Sequence, residues 1–276
     1  MEAPAIALLQ IEGTNCDEEL ATALRELGAA PERVHLKQLK GSEVSREERR
    51  RLFDYQALLF PGGFSAGDYV RAGSILAAWV RARLGRDLDE FLREGRYVGG
   101  ICNGFQVLVE MGLLPGRKGT LGPGPVRAAL NTNDSNRFEC RPTYVRWEGG
   151  NFRPLRGTLP AGTVLEMPSA HGEGNLVLAG DPGAEATRLE RDGQLLLRWV
   201  DPQGRRAGYP WNPNGSVHDI AGITNAEGNV FGLMPHPERS FFPEQLFGWT
   251  RGPSPGGLPG GRRFLGAFVE TLRRSA

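Results

Sequence analysis

A cysteine between two glycines, in the sequence Gly-Ile-Cys-Asn-Gly at residues 100–104, constrains the fold of this chain more than any other feature. The apolar run before Cys102 predicts a strand, and the apolar residues after it recur at helical spacing. A strand that turns at once into a helix strains its corner residue and needs small neighbours, which Gly100 and Gly104 provide. The pattern therefore predicts a nucleophile elbow, where the helix N-terminus favours a reactive thiolate. A buried cysteine with a purely structural role is the alternative.

The composition is typical of an ordinary soluble globular protein. Hydrophobic residues make up 39% and charged residues 24% of the 276, and the formal net charge is +1. We therefore expect no nucleic acid and no membrane among its partners, since no apolar run approaches the roughly 20 residues of a membrane-spanning helix. The N-terminus lacks the basic segment of a signal peptide, so we expect a cytoplasmic protein. Cys16, Cys102 and Cys140 indicate reduced thiols, and no Cys/His spacing indicates a metal site.

Apolar runs alternate with amphipathic stretches through the first 115 residues and predict βαβ units. The sequence therefore predicts an α/β fold with a doubly wound, mostly parallel sheet. Two separate helices are expected at residues 74–83 and 88–93. Later runs are short, rich in β formers and separated by turns, one of them expected at Asp181-Pro-Gly, which predicts an added antiparallel β region. The runs that carry this last prediction are residues 140–147, 163–167, 176–178 and 195–200.

The chain is expected to form a single domain over residues 1–276. A Gly/Pro-rich loop at about 248–262 precedes a predicted C-terminal helix. The charged residues 188–191 are interpreted as a solvated face.

A glycine-rich loop at residues 61–73 follows the strand predicted at 57–60. Its glycines let the backbone approach a ligand closely, and the loop lies at the edge of the sheet where Cys102 is expected. We interpret it as a source of a second oxyanion N–H group, with a merely flexible loop as the alternative. Cys16 also lies between a predicted strand and a helix, but it has no flanking glycines, so it is assigned to a turn.

The sequence Pro-His-Pro-Glu at residues 235–238 supplies a candidate base for the cysteine. It follows a predicted strand at residues 229–234, and its two prolines fix the backbone on either side of His236. Glu238 is placed to orient the imidazole and to stabilise its protonated form. With Cys102, the pair predicts a Cys-His-Glu triad assembled in space. The other histidines, His35, His171 and His218, are interpreted as surface or core residues.

These motifs together resemble the class I (triad) glutamine amidotransferases, whose fold is flavodoxin-like. The likeness extends over residues 6–242 and is strongest to the glutaminase subunits that serve a synthetase of purine biosynthesis. The discriminating motifs are Gly-Thr-Asn-Cys-Asp at 13–17, Pro-Gly-Gly-Phe-Ser-Ala-Gly-Asp-Tyr at 61–69, Ala-His-Gly-Glu-Gly at 170–174, Tyr-Pro-Trp-Asn-Pro-Asn-Gly-Ser at 209–216 and Asp-Ile-Ala-Gly-Ile-Thr-Asn at 219–225.

The resemblance implies roles for individual residues. Cys102 would attack the amide of glutamine and form a γ-glutamyl thioester, while His236 moves protons and Glu238 orients it. The implied oxyanion contacts are the backbone of Gly62, Gly63 and Asn103. The implied glutamine contacts are Gln106, Ser135, Arg137 and Phe138.

The resemblance also implies partners and cofactors. The substrate would be L-glutamine, and the ammonia would pass to a separate large synthetase subunit that aminates formylglycinamide ribonucleotide. A small third subunit would bridge the two. This chain has no nucleotide motif, so we expect no cofactor in it, and the synthetase would use ATP and Mg.

Three alternatives stay open at this point. One is a related enzyme: another class I amidotransferase, a cysteine amidase or a γ-glutamyl hydrolase. The second is a catalytically inactive interaction subunit, and the third is a flavodoxin-like binding module. Two departures from the family pattern are Trp211, where a small residue is expected, and extra length at residues 116–128, 181–206 and 252–261.

Overall fold

The computed structural model of the protein describes residues 2–116, 127–251 and 257–275. Most of the extra length at 116–128, and part of the Gly/Pro-rich loop, lies outside the described residues. The strands are β1 (Ala5–Gln10), β2 (Ala30–His35), β3 (Ala57–Phe60), β4 (Tyr97–Ile101), β5 (Ala128–Asn131), β6 (Glu139–Arg141), β7 (Tyr144–Trp147), β8 (Val164–Glu166), β9 (Ser169–His171), β10 (Asn175–Leu178), β11 (Leu195–Val200), β12 (Ile220–Thr224) and β13 (Val230–Leu233). The helices are α1 (Asp17–Glu26), α2 (Leu36–Lys40), α3 (Ser74–Arg93), α4 (Asn103–Glu110), α5 (Pro182–Arg191) and α6 (Gly260–Arg274).

A nine-stranded mixed sheet, in the order β2-β1-β3-β4-β13-β12-β11-β7-β8, forms the centre of the molecule. The strands from β2 to β13 pair in parallel, as expected where helical crossovers connect them. The buried strands of this half are almost wholly apolar because helices cover both faces. The predicted doubly wound, mostly parallel sheet is thus confirmed.

The same sheet continues as an antiparallel extension from β13 through β12, β11 and β7 to β8. Two small antiparallel pairs, β5 with β10 and β6 with β9, stand beside it. This arrangement confirms the predicted antiparallel region. The run at 140–147 becomes two strands, with Pro142 between them, because proline cannot donate to a ladder.

Two local predictions were wrong. The helices expected at 74–83 and 88–93 form the single helix α3, because Val80, Leu84 and Leu88 keep one buried face through Gly85. The turn expected at Asp181 instead begins helix α5, since its carboxylate accepts a hydrogen bond from the Ala184 N–H at 2.8 Å and Pro182 suits the first helical turn.

The charged residues of α5 divide between two environments. The Arg191 side chain is largely exposed, as predicted for a solvated face. Arg188 is largely covered and contacts both Glu185 and Asp192, so the prediction was wrong for that side chain. Within the described residues, no helix is long and apolar enough to cross a bilayer.

Candidate active site

Cys102 occupies the sharp corner between β4 and α4. Its backbone angles, φ 51° and ψ −108°, lie in a region that non-glycine residues rarely adopt. The Cys102 N–H donates to the carbonyl of Leu233 at 2.8 Å, which fixes the corner against the end of β13. The side chain is buried at the N-terminus of α4, where helical N–H groups and the helix dipole stabilise negative charge.

The two glycines beside the corner are required by packing. A Cβ at Gly100 would lie 2.4 Å from the carbonyl oxygen of Gly104, and a Cβ at Gly104 would lie 1.9 Å from the carbonyl oxygen of Phe60. Both distances are far below van der Waals contact. The missing side chain at Gly100 therefore lets the first turn of α4 fold back on β4, and the missing side chain at Gly104 lets α4 pack against β3.

His236 and Glu238 reach the elbow from the neighbouring strand. Strand β13 pairs in parallel with β4, with Leu233 opposite Ile101, so the segments that follow both strands meet at one edge of the sheet. His236 Nδ1 lies 2.5 Å from Glu238 Oε1, and both side chains are buried. The backbone N–H of His236 donates to the carbonyl of Pro168 at 2.9 Å, which holds the ring-bearing segment in place.

The electrostatic surroundings favour a protonated His236. Burial by itself lowers the pKa of this imidazole, but the negative charges of Glu238 and Cys102 outweigh that effect and raise the pKa well above its ordinary value. Nε2 is buried and makes no well-aligned hydrogen bond among the residues that the structure describes, although the thiols of Cys102 and Cys16 are close enough to raise the pKa of the ring. A buried donor of this kind, next to the elbow cysteine, is suited to proton transfer.

The glycine-rich loop after β3 closes the other side of the elbow. A Cβ at Gly62 would lie 2.9 Å from His236 Cε1 and 3.5 Å from Cys102 Cβ, so a side chain at residue 62 would crowd both the histidine and the cysteine. Gly63 has φ +146° and forms an isolated antiparallel β-bridge with Thr14. The Asn103 N–H belongs to the first turn of α4, whose N–H groups have no carbonyl partner within the helix. The structure thus brings Gly62, Gly63 and Asn103 together around Cys102.

The side chains of Asn103 and Gln106 are hydrogen-bonded to other groups of the protein. Asn103 Oδ1 accepts from the Ser65 N–H at 3.1 Å, and its Nδ2 donates to Gln106 Oε1 at 2.9 Å and to Asp68. Gln106 Nε2 donates to the carbonyl of Glu173 at 2.5 Å. These bonds tie the loop after β3 and the segment after β9 to helix α4.

These residues surround a cavity of about 250 Å³. Cys102, His236, Gly63, Gln106 and Phe138 line it, and Phe138 stacks on Phe64 with ring centroids 6.5 Å apart. Ser135 and Arg137 are not among the lining residues: the buried Ser135 hydroxyl has no partner among the described residues, and the Arg137 side chain is exposed. The structure therefore brings Phe138 and Gln106 to the cavity but leaves Ser135 and Arg137 outside it.

Two carboxylates that sequence reasoning missed, Asp68 and Glu173, also line the cavity. Burial raises the pKa of Asp68, and the charge of Glu173 adds to this, although hydrogen bonds from the Gly73 N–H and Asn103 oppose it. Both residues lie in loops that are recognisable in the sequence as polar segments after strands. That position was the available signal, but it does not reveal which side chains point inward.

His171 is a buried member of the cavity wall rather than an ordinary core residue. The Ser216 N–H donates to Asn214 Oδ1 at 3.1 Å, so the amide nitrogen of Asn214 faces His171 Nε2, 3.1 Å away, and donates to it. Burial, assisted by the positive charge of His236, lowers the pKa of His171 to about 3. The ring is therefore neutral, with its proton assigned to Nδ1.

Cys16, assigned from sequence to a turn, also lines the cavity. Arg239 Nη2 donates to Cys16 Sγ at 3.2 Å. Ligand atoms of Cys16, His236 and Glu238 all lie within 4.8 Å of one another, so this is where the described residues offer a candidate set of metal ligands. The guanidinium at the sulfur and the His236–Glu238 hydrogen bond suit an anionic sulfur better than an added cation. Sequence spacing missed the group because the sheet brings its members together from far apart.

Comparison with known proteins places these features in a family. The chain matches the CobB/CobQ-like glutamine amidotransferase domain over residues 3–264. It is 49% identical over 244 residues to phosphoribosylformylglycinamidine synthase subunit PurQ of Archaeoglobus fulgidus, covering 87% of this chain and 89% of the relative. The corresponding subunit of Thermus thermophilus is 40% identical over 267 residues, covering 97% and 99%.

A solved structure agrees with the sequence comparisons. The structure of PurLQS from Thermotoga maritima contains a chain that superposes with a TM-score of 0.70 at 30% identity, covering 98% of this chain and 99% of that one. The elbow geometry and the His236–Glu238 pair are consistent with the family that these sequence and structure comparisons indicate. The chain belongs to the glutamine amidotransferases and, within them, to the family of the PurQ subunits of phosphoribosylformylglycinamidine synthase.

Proposed function

We propose that this protein is the glutaminase subunit of a phosphoribosylformylglycinamidine synthase. It hydrolyses glutamine to glutamate and ammonia, and a separate ATP- and Mg-dependent synthetase subunit uses the ammonia to aminate formylglycinamide ribonucleotide. A small third subunit bridges the two. The observation that carries the proposal is the strained Cys102 at the elbow, beside a buried His236 that is hydrogen-bonded to Glu238. The names of the relatives support the choice of synthetase.

The first half of the reaction forms a thioester. Protonated His236 favours the thiolate of Cys102, which attacks the side-chain amide carbon of glutamine. The oxyanion that develops is held by the backbone N–H groups of Gly63 and Asn103. His236 Nε2 gives its proton to the amide nitrogen as the C–N bond breaks. Ammonia leaves, and the γ-glutamyl group remains on the sulfur.

The second half of the reaction regenerates the thiol. The now neutral His236 takes a proton from water, and the resulting hydroxide attacks the thioester carbon. The same two N–H groups hold the second oxyanion. Collapse of this intermediate breaks the C–S bond, releases glutamate and returns the imidazolium–thiolate pair. Glu238 stabilises the imidazolium at both stages, since its carboxylate accepts the Nδ1 hydrogen bond.

The cavity offers recognition for the amino-acid end of glutamine. Asp68 and Glu173 supply two carboxylates, which suit the α-ammonium group. Phe138 and Gln106 are positioned to contact the substrate from the wall. Ser135 and Arg137 remain candidates only if their loop moves toward the cavity when glutamine binds. A bound ammonium group would lower the pKa of Asp68, because it would offset the charge of Glu173.

A glutaminase assay tests this proposal, with the protein alone and with its synthetase and bridging subunits. We expect weak release of glutamate alone, strong release in the complex with nucleotide bound, and almost none from Cys102→Ala. The Cys102→Ala complex should still aminate formylglycinamide ribonucleotide when ammonium chloride replaces glutamine. Cys140→Ala, at an exposed thiol, is the matched control. Full glutaminase activity in Cys102→Ala would exclude the mechanism, whereas activity on γ-glutamyl peptides would indicate a γ-glutamyl hydrolase.

A further inference from the structure

Cys16 and Cys102 line the same cavity, and both lie next to Gly62. A Cβ at residue 62 would be 3.0 Å from Cys16 Sγ and 3.5 Å from Cys102 Cβ. Because residue 62 is a glycine, no side chain occupies that point, and both cysteine side chains border the same small space together with the edge of the His236 ring. Both are buried and both line the cavity. Rotation about χ1 moves a cysteine sulfur by roughly 3 Å, so each sulfur can swing into the space that both side chains border.

Backbone contacts hold the two cysteines in this relation. The N–H groups of Asn15 and Cys16 both donate to the carbonyl of Gly62, at 3.3 and 3.2 Å. The Cys102 N–H donates to the carbonyl of Leu233 at 2.8 Å. The turn that carries Cys16 is therefore anchored to the same loop that borders the elbow, and the proximity of the cysteines does not depend on a surface side chain.

Cationic side chains lie close to both thiols. Arg239 Nη2 donates to Cys16 Sγ at 3.2 Å, and a ring nitrogen of His236 lies within 4.8 Å of that sulfur. The thiols of both Cys102 and Cys16 are among the groups that raise the pKa of His236, so the imidazole is close to both sulfurs. Cationic neighbours increase the thiolate character that makes a cysteine react with peroxides.

We propose that Cys16 is the resolving thiol for oxidation of Cys102. The thiolate of Cys102 attacks one oxygen of hydrogen peroxide, the O–O bond breaks, and a sulfenic acid and water form after proton uptake. The thiolate of Cys16 then attacks the Cys102 sulfur. The S–O bond breaks, hydroxide leaves as a second water, and a Cys16–Cys102 disulfide remains. The two thiols supply the two electrons that reduce the peroxide.

The disulfide keeps the Cys102 sulfur in an oxidation state that a thiol reductant can reverse. A sulfenic acid without a resolving thiol proceeds to sulfinic acid, which dithiothreitol does not reduce, whereas a disulfide returns two thiols. The consequence for activity rests on the proposed glutaminase function. The covalent chemistry does not, since it is read from mass alone, so failure of either proposal can be recognised separately.

The test uses the reduced full-length protein, treated with hydrogen peroxide and analysed by intact mass and peptide mapping. We expect the wild type to lose two hydrogen atoms and to give a peptide that joins residues 16 and 102. Dithiothreitol should restore both thiols and the glutaminase activity. Cys16→Ser should instead gain two or three oxygen atoms at Cys102, and reductant should not reverse this.

Cys140→Ser is the control, because Cys140 is exposed and does not line the cavity. It should form the same disulfide as the wild type. The proposal is overturned if Cys102 reaches the sulfinic state equally fast in the wild type and in Cys16→Ser, or if the disulfide found involves Cys140. If Cys16→Ser fails to fold, Cys16→Ala gives the same comparison by mass.

Discussion

The His236–Glu238 pair consists of two buried side chains that can move and stabilise a proton at the site. A charged pair removed from water is stable only when each charge finds its partner, and the two atoms lie 2.5 Å apart. Pro235 and Pro237 restrict the backbone on both sides of the ring. The imidazole is therefore held in position before substrate arrives, which lowers the reorganisation that proton transfer requires.

Removal of the carboxylate charge should impair proton transfer more than binding. In Glu238→Gln, His236 loses the charge that holds its proton, so we expect kcat for glutamine hydrolysis to fall by about 10²-fold or more with little change in KM. Steady-state kinetics of the complex would measure this. Glu244→Gln, at an exposed carboxylate in the next turn, is the control. Equal kinetics for the two variants would rule out the role of Glu238.

The same pair should make stability depend on pH in a defined direction. The pKa of folded His236 is raised above its ordinary value of 6.5, so its contribution to the free energy of unfolding is complete below that value. The contribution is lost as the pH rises through the raised pKa. We expect Glu238→Gln to cost about 3–5 kcal/mol at about pH 6 and clearly less once the pH has risen through the raised pKa of His236. Urea unfolding of both proteins measures the difference, and a cost independent of pH would contradict this.

At the level of secondary structure, the elbow depends on the contact between α4 and β3. Gly104→Ala would force a Cβ to 1.9 Å from the carbonyl oxygen of Phe60, so the helix must move away from the strand. We expect a loss of about 2–4 kcal/mol in the free energy of unfolding, together with loss of glutaminase activity. Thermal or urea unfolding, followed by circular dichroism, would measure it.

The same substitution in another helix is the control. Gly266 lies in α6, and a Cβ there would be 3.7 Å from Leu27 Cδ2, which is an ordinary contact. Gly266→Ala should therefore stabilise the protein by about 0.5–1 kcal/mol, because alanine restricts the unfolded chain. A loss from Gly266→Ala as large as that from Gly104→Ala would show that the elbow is not special.

Across the whole molecule, one sheet joins the parallel half to the antiparallel extension. Strand β13 pairs with β4 on one side and with β12 on the other, and it leads directly to His236. If the strands of one half unfolded, the adjoining strand of the other half would lose its hydrogen-bond partner and become an exposed sheet edge. This continuity supports the expectation of a single domain and predicts cooperative unfolding of the two halves.

Calorimetry can test that cooperativity. We expect one thermal transition for the wild type, and we expect Leu59→Ala in β3 and Leu197→Ala in β11 each to lower the whole transition. Both side chains are buried, so each truncation should cost about 2–5 kcal/mol. Two separate transitions, with each variant affecting only one, would instead indicate two independent units.

Local sequence patterns predicted much of the fold. The steric needs of a tight strand-to-helix turn are visible within five residues, so the Gly-Ile-Cys-Asn-Gly sequence led directly to the elbow. Alternation of apolar and amphipathic runs likewise led to the parallel sheet, because burial on two faces demands a continuous apolar strand. The boundary at Gly85 was misjudged because a helix continues through glycine when its buried face is continuous.

The contents of the cavity were decided by tertiary structure alone. Cys16 follows β1, Asp68 follows β3, and His171 and Glu173 belong to β9 and the turn after it, so tertiary structure brings three separate segments to one cavity. Ser135 and Arg137 were placed by likeness to the family, and packing puts them outside that cavity. Backbone sterics act between neighbours in sequence and can be read from it. No local pattern encodes the register between distant segments. That register decides where side chains point, which charges surround them, and why Cys16 Sγ would lie 3.0 Å from a Cβ at residue 62.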